Sequence, residues 1–292
     1  VGFTPIQPNH SFDGAGKTVD ARKKTYMPPQ LYIAHRVNGR LVLGGGIYAP
    51  YGLGTDWGNT WNGRYTSTYA EVQAVYVNPA AAFKITNWLT AGAGFSFVYS
   101  SATIEKMIDS GLQMYSVTKD NTAIANIAND TRFALKGEGG GATWNLGLLL
   151  RPAVGLQMGV SYRAKTDLDF EGDAEFHHAP QLSALLSTKM PASQTGTTTL
   201  HLPSVLSAGV LYNLTERWDA SFDINFTKWD VYDDLVIKLD KKLPYATITQ
   251  EKNWENTLTF RLGSSFDLNE LSVLRGGIMY DQAPVPDETL DG

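Results

Sequence analysis

The stretch LQMGVSYRAKTDLDFEGDAEF, Leu156 to Phe176, carries the densest set of chemically capable side chains in the chain. Arg163 and Lys165 share its odd positions with Gln157, Ser161, Asp167, Asp169, Glu171, Asp173 and Glu175. An inward-facing Arg offers paired N–H donors to a carboxylate. The alternative is an ion-pair network across the sheet with acids such as Asp219 and Asp223, the commoner use of such an Arg. The acidic run suits divalent cations, although a solvated charged face is its default reading. His177 and His178 open the loop that follows and His201 closes it. Imidazoles can ligate metals, but loop histidines commonly bind nothing, and no metal site is assigned. GEGGGA at 137–142 lacks the Lys-Ser/Thr of a phosphate loop and reads as a strand start. No nucleophile and base can be picked out as a catalytic pair. The chain is expected to be no enzyme and to need no cofactor.

The element that positions these groups is legible from its period. Even positions from Leu156 read Leu, Met, Val, Tyr, Ala, Thr, Leu, Phe, Gly, Ala, Phe. A period of two is a strand with one apolar and one wet face. Strands in soluble proteins usually run ~5–6 residues; this one is about three times longer, and a tilted membrane strand needs only ~9–11. The same alternation recurs at Leu89–Tyr99, Trp144–Leu150, Trp218–Phe226, Leu258–Leu262 and Leu274–Tyr280. Over Leu156–Phe176 it predicts the apolar face against lipid and the charged face, Arg163 and Lys165 included, lining a lumen. Two segments are less regular: RLVLGGGIYAP is apolar on both sides, and VYVNPAAAFKI contains a Pro.

The connections alternate as well. Short turns are predicted at Asn38-Gly39, Asn87, Pro152–Gly155, Thr215–Arg217 and Asp267–Glu270, and long ones near 7–26, 50–66, 107–137, 177–203 and 240–253. A meander with all tight turns at one end is the outer-membrane barrel pattern. Trp88 and Trp218 each open a strand directly after a tight turn, where an interfacial aromatic girdle belongs. With 292 residues, a net charge of −5 and no Cys, the chain has no basic block for nucleic acid and no thiolate chemistry. VGFTPI reads as the tail of a strand under way, and DQAPVPDETLDG closes no strand. The expectation is one all-β domain, an antiparallel up-and-down transmembrane barrel over 1–292, truncated at both ends.

The segments VNPAAAFKITNWLTAGAGFSFVYSSATIEK, GATWNLGLLLRPAVGLQMGVSYRAKTDLDFEGDAEF, LPSVLSAGVLYNLTERWDASFDINFTKWDVYDDLVI and LRGGIMYDQAPVPDE resemble the FadL-type outer-membrane transporters of long-chain fatty acids and aromatic hydrocarbons. The similarity keeps the same order over nearly the whole chain. It implies a monomeric barrel of fourteen strands with an N-terminal hatch, of which this chain supplies about eleven strands and no hatch. Asn78-Pro79-Ala80 spells the hatch tripeptide but lies in a strand region and is not given that role. The resemblance further implies passive uptake of a fatty acid or hydrocarbon across a Gram-negative outer membrane. In the family, ligand enters by a loop groove, rests in a lumen pocket and leaves sideways into lipid. The groove maps onto Met107, Ile108, Leu112, Met114 and Tyr115 in one loop and Leu182, Leu185, Leu186 and Met190 in another. Mutual packing of the two loops is an equal alternative. The lateral exit maps onto a strand kink at Gly44, Gly45, Gly46 and Pro50. A general diffusion porin, or a structural or adhesion barrel acting through its loops, are the rival functions. The full-length protein is expected in the outer-membrane fraction with heat-modifiable gel migration; recovery as a soluble monomer would refute the barrel.

Overall fold

The computed structural model describes residues 2–14, 16–120, 126–187, 191–240 and 247–289. A small hairpin, β1 (Ser11–Gly14) and β2 (Lys17–Asp20), stands apart from the main sheet. One antiparallel sheet of fourteen segments follows. Its first part is β3 (Gln30–Arg36), β4 (Leu41–Asp56), β5 (Tyr69–Lys84), β6 (Leu89–Ile108) and β7 (Thr131–Ala153). Then come β8 (Leu156–Arg163), β9 (Thr166–His177), β10 (Ser193–Leu202), β11 (Ser204–Asn213), β12 (Trp218–Lys228) and β13 (Asp234–Leu239). The sheet ends with β14 (Thr247–Glu251), β15 (Thr257–Asn269) and β16 (Ser272–Asp281). Helix α1 (Gly111–Thr118) and the one-turn α2 (Ser183–Leu186) lie in the connections. Segments β8–β9, β10–β11, β12–β13 and β14–β15 are halves of single long staves, because each half pairs with the corresponding half of its neighbour. That leaves ten staves in chain order. The expected first strand is represented by two isolated bridges, Gly2 to Gln30 and Ile6 to Tyr26.

Tight turns join β3–β4, β5–β6, β7–β8, β11–β12 and β15–β16, all at one end of the meander. Asn38 Oδ1 accepts from the backbone N–H groups of Arg40 and Leu41 (2.8 and 2.9 Å), which fixes the first turn. At the other end the strands run further than hydropathy suggested. β4 reaches Asp56, β6 reaches Ile108, β7 begins at Thr131 and β10 at Ser193. The long connections shrink accordingly, to 57–68, 109–130 and 178–192. Backbone pairing continues well past the apolar band, so the stave ends are not marked by hydrophobicity. Pro79 sits inside β5 opposite Gly45; on the β6 side the ladder lapses between Val77 and Ala80, where Asn78 Nδ2 donates to Ser96 Oγ (2.7 Å).

The outward apolar band is bounded by aromatics. Trp88 and Trp218, at the tight-turn end, are about half exposed, and Tyr99, Trp144 and Tyr162 mark the other rim. The Trp144 and Tyr162 rings lie 5.4 Å apart. From Trp88 to Tyr99 the strand covers the ~9–11 residues that cross a bilayer.

Above that rim the two faces exchange roles, which overturns the expectation of a continuous lipid face over Leu156–Phe176. Met158 and Val160 are 44% and 43% exposed, whereas Leu168 and Phe176 are 0% and 3%. The cause is one extra residue. The five-residue step from Asn145 to Gly140 in β7 is matched by a six-residue step from Arg163 to Asp169. The bulge lies at Ala164–Lys165. There Thr143 Oγ1 donates to the carbonyls of Ala164 and Lys165 (2.9 and 3.1 Å), and Ala164 N–H donates to the Trp144 carbonyl (2.9 Å). A one-residue shift sends every later side chain to the opposite face. Below the bulge the even residues meet lipid; above it they turn into a protein core while Asp167 to Glu175 face water. The environment and the chain invert together, so the sequence alternates without a visible break.

β4 does the same. Tyr48 pairs with Tyr76 and Tyr51 with Ala74, which leaves one extra residue at Ala49–Pro50. Gly44, Gly45 and Gly46, expected to bend the strand, instead sit in unbroken ladders with both β3 and β5. The irregularity falls at Pro50, which has no N–H to lose. Pairing with β3 stops at Tyr48, and the next backbone bond on that edge is Arg22 N–H to the Asp56 carbonyl (2.7 Å). Among the described residues, Ala49–Thr55 are therefore paired on the β5 side alone.

Deleting Lys165 removes the extra residue and turns Leu168, Phe170 and Phe176 towards water. The deletion variant is expected to lose heat-modifiable assembly, while Lys165→Ala assembles normally. Equal assembly of both would refute the face-switching role of the bulge.

Candidate functional site: the waist of the lumen

The interruptions of several staves meet across the lumen. The β4 bulge places Tyr51 inside, and Arg163 is the last inward residue before the stave 156–177 bulges. The Arg163 Nη2 donates to the Tyr51 hydroxyl (2.9 Å), and the guanidinium lies 5.1 Å from the Tyr51 ring centroid. The same hydroxyl donates to the carbonyl of Pro203 (3.3 Å), which separates β10 from β11. The Tyr51 ring meets Trp229, in the short 3-10 turn that interrupts the β12–β13 stave, edge-on at 6.0 Å. Aromatic contacts extend the crossing in both directions, from Tyr32 through Tyr48 and Tyr76 to Tyr51, and from Trp229 to Trp254 and Tyr232. Tyr76 hydroxyl and Thr166 Oγ1 are 3.3 Å apart. These contacts form a transverse partition, or waist, at the height where the wall leaves the membrane.

Arg163 is the chemically distinct member of the waist. Among the described residues, its buried Nε has no hydrogen-bond partner and no carboxylate lies within ion-pair distance of the guanidinium. The expected network with Asp219 and Asp223 is absent from these contacts; Asp219 accepts from Ser265 Oγ (2.7 Å) instead. A guanidinium has five N–H donors, and here a phenol and a ring face supply its visible company.

Above the waist the interior is apolar. Leu168, Phe170, Leu202, Val98 and Tyr76 form one cluster, and Phe133, Phe176, Leu235 and Ile237 anchor a second. Leu182 and Leu186 are each 1% exposed within the second cluster, and Ile108 and Met114 pack against it. Loop packing thus accounts for these four. Leu112 on α1 is 58% exposed. Met107 pairs with Arg132 at the end of the β6–β7 ladder, and the Tyr115 ring carries the Lys119 ammonium at 5.7 Å. Met190 and the Leu185 side chain lie outside the described residues. Below the waist a cavity of about 570 Å³ has a mixed lining, with Tyr48, Asn78, Asn145, Arg163, Ser207 and Asn225 set among small apolar residues such as Ala80, Ala81, Ala82 and Ala93.

A long antiparallel meander, lipid-facing below and water-facing above, has counterparts among known proteins. Residues 3–291 match the family described as outer membrane protein transport protein (OMPP1/FadL/TodX). The chain belongs to this family. It is 25% identical to the long-chain fatty acid transport protein of Escherichia coli O6:H1 over 98% of this chain and 68% of that protein. It is also 25% identical to outer membrane protein P1 of Haemophilus influenzae over 87% of this chain and 57% of that protein. Among solved structures, a Pseudomonas aeruginosa FadL homologue superposes with a TM-score of 0.82 at 16% identity, covering 99% of this chain and 71% of that one. The Pseudomonas putida toluene transporter TodX gives 0.72 at 19% identity, covering 97% and 74%. The chain is accordingly an outer-membrane β-barrel protein of a transport family, and it spans about two thirds of the length of the E. coli relative.

The remaining sequence-derived residues of this family member fall outside the lumen. Lys165, expected beside Arg163, follows the bulge to the outer surface and pairs with Asp167 (3.1 Å). Asp167 also meets His201 Nδ1 (2.7 Å). Partial burial works to raise the Asp167 pKa, but hydrogen bonds from His201 and Lys165 outweigh it and hold the carboxyl below its usual range. His177 meets Glu175 and His178 meets Thr131, so the histidines are dispersed among different partners. Four positions that the sequence did not single out matter more. Tyr51 is an ordinary tyrosine until the bulge turns it inward. Arg64 and Asp130 tie the 57–68 loop to the 109–130 loop through a 2.7 Å ion pair, with the Asp130 side chain fully buried. Tyr65 donates to Asp130 (2.9 Å); burial and this bond push its phenol up to about 12.

Because the folded state favours the neutral phenol, the Tyr65 contact contributes fully below the ordinary Tyr pKa of about 10 and is lost as pH rises towards 12. Asp130→Asn removes the carboxylate that Arg64 pairs with and is expected to weaken loop docking by about 3 kcal/mol. Tryptic cleavage after Arg64 should then accelerate while the barrel stays assembled; unchanged cleavage would show that the pair does not dock the loops.

Proposed function

We propose that this chain forms the wall of a passive uptake route for hydrophobic compounds, and that the ligands it serves best carry a carboxylate, as long-chain fatty acids do. The observation that carries the finer reading is Arg163, a waist cation with an unpartnered Nε, between an apolar interior above and a cavity of mixed lining below. A charged head seats at Arg163 while its alkyl tail stays among the apolar side chains above. The related proteins named as long-chain fatty acid transporters support the acid, and those named as toluene transporters support the hydrocarbon class more broadly.

The route begins at the outer loops, where Leu112 and the walls built by Met107, Ile108, Met114, Tyr115, Leu182 and Leu186 form the capture region. It passes the waist and leaves through the side of the barrel beside Pro50. The polarity of the interior supports a sideways departure. Asn78, Asn145, Ser161, Ser207 and Asn225 would desolvate poorly against an alkyl chain, and the unpaired edge of Ala49–Thr55 lies near the waist. Gly44, Gly45 and Gly46 continue the wall directly below this edge. A diffusion porin needs a wet passage from end to end, which the two apolar clusters above the waist oppose. The route calls for no cofactor, no metal and no catalytic group, and the barrel acts as a monomer dissolved in outer-membrane lipid.

Arg163→Ala is expected to weaken binding of a long-chain fatty acid roughly ten- to a hundredfold, the worth of a charge-assisted hydrogen bond of about 1.5–3 kcal/mol. Affinity for a neutral hydrocarbon of similar length should be unchanged. Competition binding to purified full-length protein measures both; equal losses for acid and hydrocarbon would reject the carboxylate clamp.

A further inference from the structure

We infer that Tyr51 is a latch that couples a seated carboxylate to the opening of the wall beside Pro50. The inference rests on the proposed function above and deepens it. Arg163 presents its side-on edge through Nε and Nη2. Nη2 is held by the Tyr51 hydroxyl (2.9 Å) and Nε has no partner. A carboxylate binds a guanidinium best in two parallel bonds, and such bonds are about twice as strong as neutral ones. Seating both oxygens on the Nε–Nη2 edge brings the acid into competition with the phenol, which accepts from the same Nη2. The phenol is a neutral acceptor and the carboxylate an ionised one, so the exchange runs towards the acid.

What the phenol restrains decides the consequence. Tyr51 follows immediately on the Ala49–Pro50 bulge, in the part of β4 that lacks a ladder on the β3 side. Its hydroxyl reaches across the lumen to Arg163 and to the Pro203 carbonyl, far away in sequence. With Arg163 taken by ligand, the bond to Pro203 (3.3 Å) is what remains of that polar tether. Among the described residues, the backbone of Ala49–Thr55 is then paired with β5 alone, with the Tyr51 ring contacts as its remaining tie across the lumen. Ligand headgroup and exit are thus connected through one side chain. Neutral hydrocarbons lack the group that releases it and pass more slowly than acids of the same length.

Tyr51→Phe keeps the ring and removes the tether. Full-length wild-type and variant protein in liposomes would be compared with a long-chain fatty acid and its methyl ester. In the variant, acid binding should tighten about three- to tenfold through loss of the competing phenol, and ester uptake should rise towards acid uptake. In wild type, hydrogen exchange of the 49–55 amides should accelerate with saturating acid and not with ester. In the variant it should be fast without ligand. An unchanged acid-to-ester uptake ratio in an assembled variant would overturn the latch. Wild-type protein that binds acid without any change in 49–55 exchange would also overturn it, even if the variant fails to assemble. Wild-type protein that binds no acid at all would overturn the proposed function instead.

Discussion

Strict alternation of side chains along a strand is the constraint on which the rest of this molecule depends. A stave that crosses lipid must show apolar residues outwards, and the same stave beyond the lipid must show them inwards. A regular strand cannot do both with one hydrophobic set. The chain resolves this with single extra residues at Ala49–Pro50 and Ala164–Lys165, and stave 193–213 turns at Pro203 in register with its neighbour. The bulges fall near the aromatic rim because that is where the surroundings change from lipid to water.

The waist follows from the same devices. The interruptions bring four groups together on the lumen side: the Tyr51, Arg163 and Trp229 side chains and the Pro203 carbonyl. The Tyr51 hydroxyl satisfies that carbonyl, which lies between two strands. Arg163 is the exception, since its Nε gains nothing from the arrangement. An unpartnered buried donor on a charged group at the waist is what a ligand headgroup can remedy.

Above the waist the loops complete the barrel interior. Full burial of Leu182 and Leu186 against Phe133, Phe176 and Ile237 contributes about 1.5–3 kcal/mol per side chain, which is comparable with the Arg64–Asp130 tie between the loops. The mouth is therefore closed by packed protein, with the exposed part of α1 at its surface. The proposed capture region at the mouth and the proposed latch at the waist are separate elements, with two apolar clusters between them.

By itself the sequence determined the strand period, the meander with tight turns at one end, the aromatic positions Trp88 and Trp218, and the inward face of Arg163. These depend on neighbours one or two residues apart, so local pattern suffices. It could not place Lys165, Tyr51 or the bend of β4. The alternation of Leu156–Phe176 reads as unbroken because a register shift and a change of solvent cancel in the pattern. The triple glycine is conspicuous locally, yet the partner strands keep it straight and put the irregularity at Pro50. Leu182 and Leu186 showed a helical spacing in the sequence, but not that it would be spent on burial. Only the tertiary structure decided these points, because each depends on which residue of a neighbouring stave stands opposite, and that register is set by pairings between residues far apart in the chain.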